Sequence, residues 1–210
     1  MKFLKFLSLA FVFLGVFVAC ENTEDEAEYD NWQARNVQAY ADTLKFAQDA
    51  IEVAKAQYGD TWEEHCDWRV LRSYAIADTI ASSATNTVVV RIGRRGTGSG
   101  CPLFTDSVKV NFIGRLLPSK SYEDGYVFGH SSLYDTYEDV FDPQFAAPVS
   151  YKVSNLVEGF TTALMYMHIG DLWRIYVPSE MGYSSTEQTS IPAYSMLRFD
   201  VELKAFWRIK

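Results

Sequence analysis

The stretch LVEGFTTALMYMHIG, residues 156–170, contains the short helix around which we predict the fold to be built. Apolar residues over 160–167 indicate that helix, and Gly170 can end it. The next segment, 172–177, alternates two sets of side chains, as a strand does. Further strands are predicted at 88–92, 108–113, 149–153 and 196–206. The sequence therefore predicts an α+β fold in which an antiparallel sheet wraps over one short helix.

Ahead of this domain, residues 30–58 predict one long helix, because neither Pro nor Gly occurs before Gly59. One stripe of this helix carries its apolar residues, namely Tyr40, Leu44, Ala47, Ile51, Ala54 and Tyr58. The stripe can dock the helix on the following domain, or it can form a homodimer through helix 30–58. Residues 60–87 are ambiguous, and 118–148 predict a long connection. We divide the mature chain into an N-terminal helical segment (32–87) and a sheet domain (88–210).

The N-terminus has the charge order of an export signal. Lys2 and Lys5 precede an apolar run over 6–18, which is too short to predict a membrane span. The run ends in Ala19-Cys20, which resembles the lipobox of bacterial lipoproteins and implies lipid on Cys20. The alternative is an ordinary signal with a chance cysteine. We expect a signal peptide (1–20), an acidic flexible tether (21–31) and lipid anchoring at the cell envelope, in an outer membrane facing the periplasm or the cell surface.

The charge and the remaining reactive residues exclude several classes of function. The net charge of −8 and the lack of a basic run argue against nucleic-acid binding. The three histidines (His65, His130 and His168) are scattered, so we expect no metal and no cofactor. Cys66 and Cys101 face an oxidising compartment after export, and the sequence leaves open whether they pair.

Seven short segments occur in order between residues 108 and 203. They are VKVNFIG (108–114), DGYVF (124–128), LVEGF (156–160), ALMYMHIG (163–170), IYVP with MGY (175–178 and 181–183), SIP (190–192) and LRFDVEL (197–203). Together they resemble the FKBP-type peptidyl-prolyl cis-trans isomerase family, in which, for example, VKVNFIG is similar to V-x-V-x-Y-x-G and LVEGF to V-I-x-G-W. The resemblance implies an FKBP-like fold that isomerises X–Pro bonds in a dry aromatic pocket, without a cofactor.

The resemblance also implies site residues. In the family, the backbone N–H at the Val157 position and the phenol at the Tyr183 position donate to the bound ligand, and the residue at the Phe160 position forms the pocket floor. The implied catalytic residues are Tyr183, Phe128, Phe199, Phe112 and Phe160. The implied substrate-binding residues are Val157, Leu156, Ile191 and Val149.

Several positions depart from the family's pattern. Phe112 replaces a tyrosine, Phe160 a tryptophan, Val149 a phenylalanine, Gly129 an aspartate and Ser184 a glycine. Residues 141–142 (Phe-Asp) are a second possible match to the family's F-D step. Two functions follow. One is a membrane-anchored isomerase or folding helper acting on proline-containing segments of exported proteins. The other is an inactive module of the same fold that binds a peptide, glycan or partner protein at the cell envelope.

Overall fold

The computed structural model describes residues 28–131 and 147–208. Its helices are α1 (Trp32–Tyr58), α2 (Trp62–His65) and α3 (Glu158–Leu164), with short 3-10 turns at Gly59–Thr61, Val153–Asn155 and Ser179–Met181. Its strands are β1 (Trp68–Arg72), β2 (Thr87–Arg94), β3 (Ser107–Arg115), β4 (Val127–His130), β5 (Val149–Lys152), β6 (Leu172–Val177) and β7 (Leu197–Trp207). The predicted signal, lipidation at Cys20 and the 141–142 match lie outside the described residues. Within those residues, no helix combines the length and hydropathy needed to cross a bilayer.

The seven strands form one antiparallel sheet, which confirms the predicted fold class. The strand order is β1-β2-β6-β7-β3-β4, and β5 pairs with the other end of β3. Two strands were not predicted. β1 lies within the ambiguous 60–87 stretch and pairs with β2 from Trp68↔Arg91 to Arg72↔Thr87. β4 lies within the predicted 118–148 connection and pairs with β3.

The strand β1 corrects the predicted N-terminal segment. Residues 32–87 are not helical throughout, because β1 continues the sheet beyond β2. All five residues of WRVLR are half-buried, so the strand shows no in–out alternation. A boundary at residue 88 therefore separates two hydrogen-bonded strands rather than two structural units.

The core lies between the sheet and α3. From α3, Phe160, Ala163 and Leu164 are buried against sheet residues that include Val88 and Val177. Gly159 permits this close approach, since a Cβ there would lie 2.4 Å from Cγ1 of Val177. The predicted helix over 160–167 begins two residues earlier than expected and continues after Leu164 as single turns.

The helix α1 packs on the opposite face of the sheet. Its Tyr40 and Ala47 contact Val89 and Met196, whereas Val88 and Val90 point into the core. The amide of Met196 also donates to Oδ1 of Asn36, 2.8 Å away. Further along α1, Ile51 and Ala54 cluster with Cys66. The apolar stripe therefore docks α1 on its own domain.

The residues just before α1 are also fixed. Glu28 is buried, and its carboxylate accepts hydrogen bonds from Ser119 Oγ, Ser121 N (3.0 Å) and Ser121 Oγ (2.8 Å). The buried Trp32 donates through Nε1 to Ser195 Oγ at 2.8 Å. The prediction of a flexible tether reaching residue 31 is therefore wrong for residues 28–31.

The two described cysteines are free thiols. Cys66 is buried beneath α1, and Sγ of Cys101 lies 3.7 Å from Nε2 of His168. Among residues 28–131 and 147–208, no three His, Cys, Asp or Glu side chains are placed to hold a metal ion.

Candidate functional site

Three phenylalanines from separate elements form the centre of the candidate site. Phe160, in the first turn of α3, stacks on Phe199 of β7 with ring centroids 4.7 Å apart and planes 5° apart. Phe128 of β4 meets Phe199 edge-on at 5.4 Å. Phe160 and Phe199 are 3% and 5% exposed, whereas Phe128 is half-buried. The stacked pair therefore forms a floor, and Phe128 rises from it.

A glycine explains how Phe128 reaches this position. A Cβ at Gly114 would lie 2.5 Å from the Phe128 ring, so only glycine lets that ring lie across β3. The neighbouring Gly129 is different, because a Cβ there would lie 3.5 Å from the Phe112 ring, an ordinary contact. A side chain at position 129 would therefore face the aromatic cluster without displacing it.

Phe112 and Val149 continue the wall on β3 and β5. The structure adds Tyr151, whose ring meets Phe112 edge-on at 6.0 Å. Burial raises the pKa of the Tyr151 phenol. Sequence reasoning missed this residue, although Val149 and Tyr151 lie two apart and so share a face of the strand.

Leu156 and Val157 lead into α3 at the edge of the cluster. Both are half-buried and pack against the core. Val157 has extended backbone angles (φ −60°, ψ 148°), and its carbonyl accepts the amide of Thr161 at 3.0 Å. The described residues give the Val157 N–H no acceptor, so this donor is available to a ligand.

Tyr183 and Ile191 belong to the loop between β6 and β7. Ile191 is buried in the core, whereas Tyr183 is 37% exposed. Ser184 follows in a left-handed backbone conformation, with φ 53°. This conformation is held by a hydrogen bond of 2.8 Å that the backbone N–H of Ser184 donates to the carbonyl oxygen of Ser179. That conformation accounts for the family's glycine at the Ser184 position, since glycine adopts it without strain.

Eight of the nine predicted site residues belong to the main hydrophobic core or pack against it. Phe160, Phe199 and Ile191 are buried members of the main core, and five others pack against it: Phe112, Phe128, Val149, Leu156 and Val157. Tyr183 is not part of that cluster and lies on the exposed loop above the core.

A groove of about 480 Å³ adjoins the site along this loop. Its lining residues include Ile191, Tyr126, Glu28, Tyr122 and Glu187. Sequence reasoning missed the groove because one wall exists only when residues 28–29 fold back onto the domain.

The family model for FKBP-type peptidyl-prolyl cis-trans isomerase matches residues 102–204, the part of the chain that supplies the aromatic cluster. Residues 102–204 are a domain of this family. The FKBP-type match begins after β2, so α1, β1 and β2 lie outside it, although β2 is hydrogen-bonded to β6 within the same sheet.

Relatives of the FKBP-type domain occur in several organisms. The macrophage infectivity potentiator of Trypanosoma cruzi is 34% identical over 110 residues, which are 52% of this chain and 47% of the relative. The FKBP-type isomerase FkpA of Escherichia coli is 27% identical over 124 residues, 59% of this chain and 39% of the relative. A crystal structure of FkpA from Escherichia coli, 24% identical, covers 85% of this chain and 69% of its own, with a TM-score of 0.47. The chain spans less than half the length of these two curated relatives.

Proposed function

We propose that this FKBP-type chain is a peptidyl-prolyl cis-trans isomerase that assists the folding of exported proteins by acting on their proline-containing segments. The observation that carries the proposal is the aromatic cluster, in which Phe160 stacks on Phe199 and Phe128 meets Phe199 edge-on. Three residues before Phe160 in the chain, the N–H of Val157 has no acceptor among the described residues. Family membership supports the same activity.

The chemistry required is a rotation. Rotation about a peptide bond is opposed by a barrier of about 18–20 kcal/mol, because it breaks the amide resonance. The twisted amide is less polar than the planar one, so an aromatic, water-poor floor of Phe160 and Phe199 stabilises the transition state more than the ground state. The Val157 N–H and the Tyr183 phenol supply donors that orient the substrate carbonyl. No step requires an acid, a base or a metal.

We further propose that the chain works at the cell envelope, held by lipid on Cys20, in an outer membrane facing the periplasm or the surface. The support is the signal-like run over 6–18 followed by Ala19-Cys20. Because Glu28 is fixed to the domain, only residues 21–27 are left to separate the lipid from the folded protein. Lipid at Cys20 would then hold the groove beside Glu28 near the membrane.

The experiment is an NMR exchange assay on residues 21–210 with a short Xaa-Pro peptide. Tyr183→Phe removes only the phenolic oxygen and should lower kcat/KM about two- to tenfold, the worth of one hydrogen bond. Tyr194→Phe, on an equally exposed tyrosine of the same loop, should leave it unchanged. A rate at background from folded protein would refute isomerase activity.

A second function is favoured by the altered wall. Gly129 places no side chain where the family has an aspartate. Phe112 is less polar than the family's tyrosine, and Val149 is less bulky than its phenylalanine. The same fold would then bind a peptide or partner protein without turning it over. Saturable binding of a proline peptide without rate enhancement would select this function.

A homodimer through helix 30–58 would have to use the outward face of α1. The predicted stripe is already buried on the domain, but Val37, Phe46 and Val53 are 54%, 60% and 65% exposed. Sedimentation of the Phe46→Ser, Val53→Ser double variant tests this arrangement, which is wrong if the unaltered chain already sediments as a monomer.

A further inference from the structure

Two arginines face each other on the side of the sheet away from the aromatic cluster. Arg115 of β3 and Arg198 of β7 are direct cross-strand partners. The preceding pair, Gly114 and Phe199, faces the core, so the arginine pair faces outward. Like charges directly opposite each other in an antiparallel pair repel and destabilise the sheet. Arg115 and Arg198 therefore cannot compensate each other's charge.

The chain itself leaves both guanidinium groups incompletely bonded. Arg115 is only 6% exposed, and its Nη1 donates to the Gly125 carbonyl at 3.3 Å. Arg198 donates through Nη2 to the Asp124 carbonyl at 2.8 Å. Nη2 of Arg115 and Nε of Arg198 are buried and have no hydrogen-bond partner among the described residues. A buried donor without a partner is costly, and more so when it is charged.

The adjacent pair on the same sheet face shows the contrast. Arg174 of β6 binds Asp200 of β7 through two hydrogen bonds of 2.7 and 3.0 Å. No carboxylate of the described residues forms an ion pair with Arg115 or Arg198. Burial, and then the charge of Arg174, lower the pKa of Arg198, and the charge of Asp200 offsets them only in part.

A cavity of about 220 Å³ is lined by Arg115 and residues 122–127. Arg198 does not line it but reaches its edge through the hydrogen bond to the Asp124 carbonyl. Its volume suits a small oxyanion with part of the chain that carries it. Glu123 and Asp124, both exposed, also line it and make its rim acidic. An acidic rim on a chain of net charge −8 disfavours ligands with several negative charges and admits a single carboxylate.

We propose that Arg115 and Arg198 form a carboxylate-binding site on the outer face of the sheet, separate from the aromatic cluster. Its ligand is the carboxylate of an acidic peptide residue. Nη2 of Arg115 and Nε of Arg198 each donate to one of its two oxygens, and such charge-assisted hydrogen bonds are stronger than those between neutral groups. The site would hold a peptide at a point remote from the bond that the aromatic cluster rotates.

The test follows the Nε–Hε NMR signal of Arg198 in the full chain, kept in a mild detergent. The titrant is an acetylated, amidated tripeptide with a central glutamate, and the matched control has glutamine. The glutamate peptide should shift the signal saturably, and the glutamine peptide should not. Acetate is the third titrant: a response to acetate at the same affinity identifies a free carboxylate as the ligand source, and a weaker one identifies the peptide.

The variants are followed through the backbone amides of Gly125 and Tyr126. Arg115→Met and Arg198→Gln should each weaken binding by about tenfold or more. Arg95→Gln, which removes an exposed positive charge elsewhere, should not change it. Arg198→Lys keeps the charge but loses the Nε donor, and it replaces Arg198→Gln should that variant not fold.

Three results would overturn the proposal. The first is the absence of a saturable shift with both the glutamate peptide and acetate. The second is equal binding of the glutamine peptide, or equal binding by Arg115→Met and the unaltered chain. The third is a change of the Arg198 signal in the Asp124→Asn variant, together with no response of the unaltered chain to any titrant. That result would show that the carboxylate of Asp124 already occupies the site.

Discussion

The ring of Phe160 lies parallel to that of Phe199, with a 4.7 Å separation of centroids and a 5° angle between planes. One ring belongs to α3 and the other to β7, the longest of the described strands, so the contact joins the helix to the core face of the sheet. Both rings are nearly fully buried. The floor of the proposed pocket is therefore also part of the hydrophobic core, and stability and activity should change together there.

Phe160→Leu tests this coupling. The substitution keeps an apolar side chain but removes the stacked pair, so the free energy of unfolding should fall by about 1–2 kcal/mol. Urea denaturation measures that change, and kcat/KM for the Xaa-Pro peptide should fall in the same variant. Tyr166→Leu, at a 52% exposed position just beyond α3, should change stability by less than about 0.5 kcal/mol. Unaltered activity in Phe160→Leu would show that this ring is core and not pocket floor.

Glu28 should make the docking of the N-terminal segment depend on pH. Hydrogen bonds from Ser119 and then from the Ser121 amide hold the pKa of Glu28 below its usual range. A carboxylate with a lowered pKa stabilises the folded arrangement above its unfolded value of about 4.3, and that contribution is lost as the pH falls through the lowered pKa. The factor by which the fold protects the Ser121 amide from hydrogen exchange, relative to an unfolded amide at the same pH, should therefore fall below about pH 4.

The matched variant is Glu28→Gln. It should accelerate exchange at Ser121 already at neutral pH and remove most of the acid-dependent change there. Glu64→Gln, at an exposed position of α2, should leave both unchanged. Protection at Ser121 that does not depend on pH in the unaltered chain would contradict the ionic contact.

Ala47 tests whether α1 is part of the folded unit. Ala47 is fully buried where α1 packs on the outer face of the sheet. Ala47→Asp therefore places a charge in an apolar contact. The free energy of unfolding should fall by at least about 2 kcal/mol. Ala41→Asp, on the exposed side of the same helix, is the control and should be nearly neutral. A change confined to α1, with the sheet unaffected in hydrogen exchange, would show that the helix is an independent appendage.

The elements that could be predicted are those whose signal is local. The strand at 172–177 alternates cleanly and has its predicted limits. The apolar run over 160–167 predicts the helix as well, although the observed helix spans Glu158–Leu164. The strand β1 was missed because none of its residues is clearly in or out, and β4 because it is four residues long and contains Gly129. The local pattern of apolar and polar residues does not reveal such strands, because their conformation is fixed by pairing with a neighbouring strand.

The site likewise has a part that the sequence predicts and a part that it does not. The phenylalanines of the cluster were predicted because the order of short segments resembles a known family, and Phe160 and Phe199 indeed meet. The contact of Glu28 with Ser121 and the opposition of Arg115 and Arg198 depend on loop closure and on strand register. Neither follows from residue spacing along the chain, because register across a sheet is set by the whole of the packed structure.

Gly129→Asp separates an isomerase with a weakened wall from a module that only binds. The backbone at Gly129 needs no glycine, and a Cβ there would lie in ordinary contact with the Phe112 ring, so the fold should tolerate the change at less than about 1 kcal/mol. If the cluster rotates prolyl bonds, an aspartate facing it restores the polar group of the family's pattern and should raise kcat/KM about threefold to tenfold. Gly129→Ala is the control, because it stiffens the backbone in the same way without adding a polar group. An increase in Gly129→Asp alone supports isomerase activity. A folded Gly129→Asp protein that binds the peptide with no gain in rate would instead support binding as the function of this pocket.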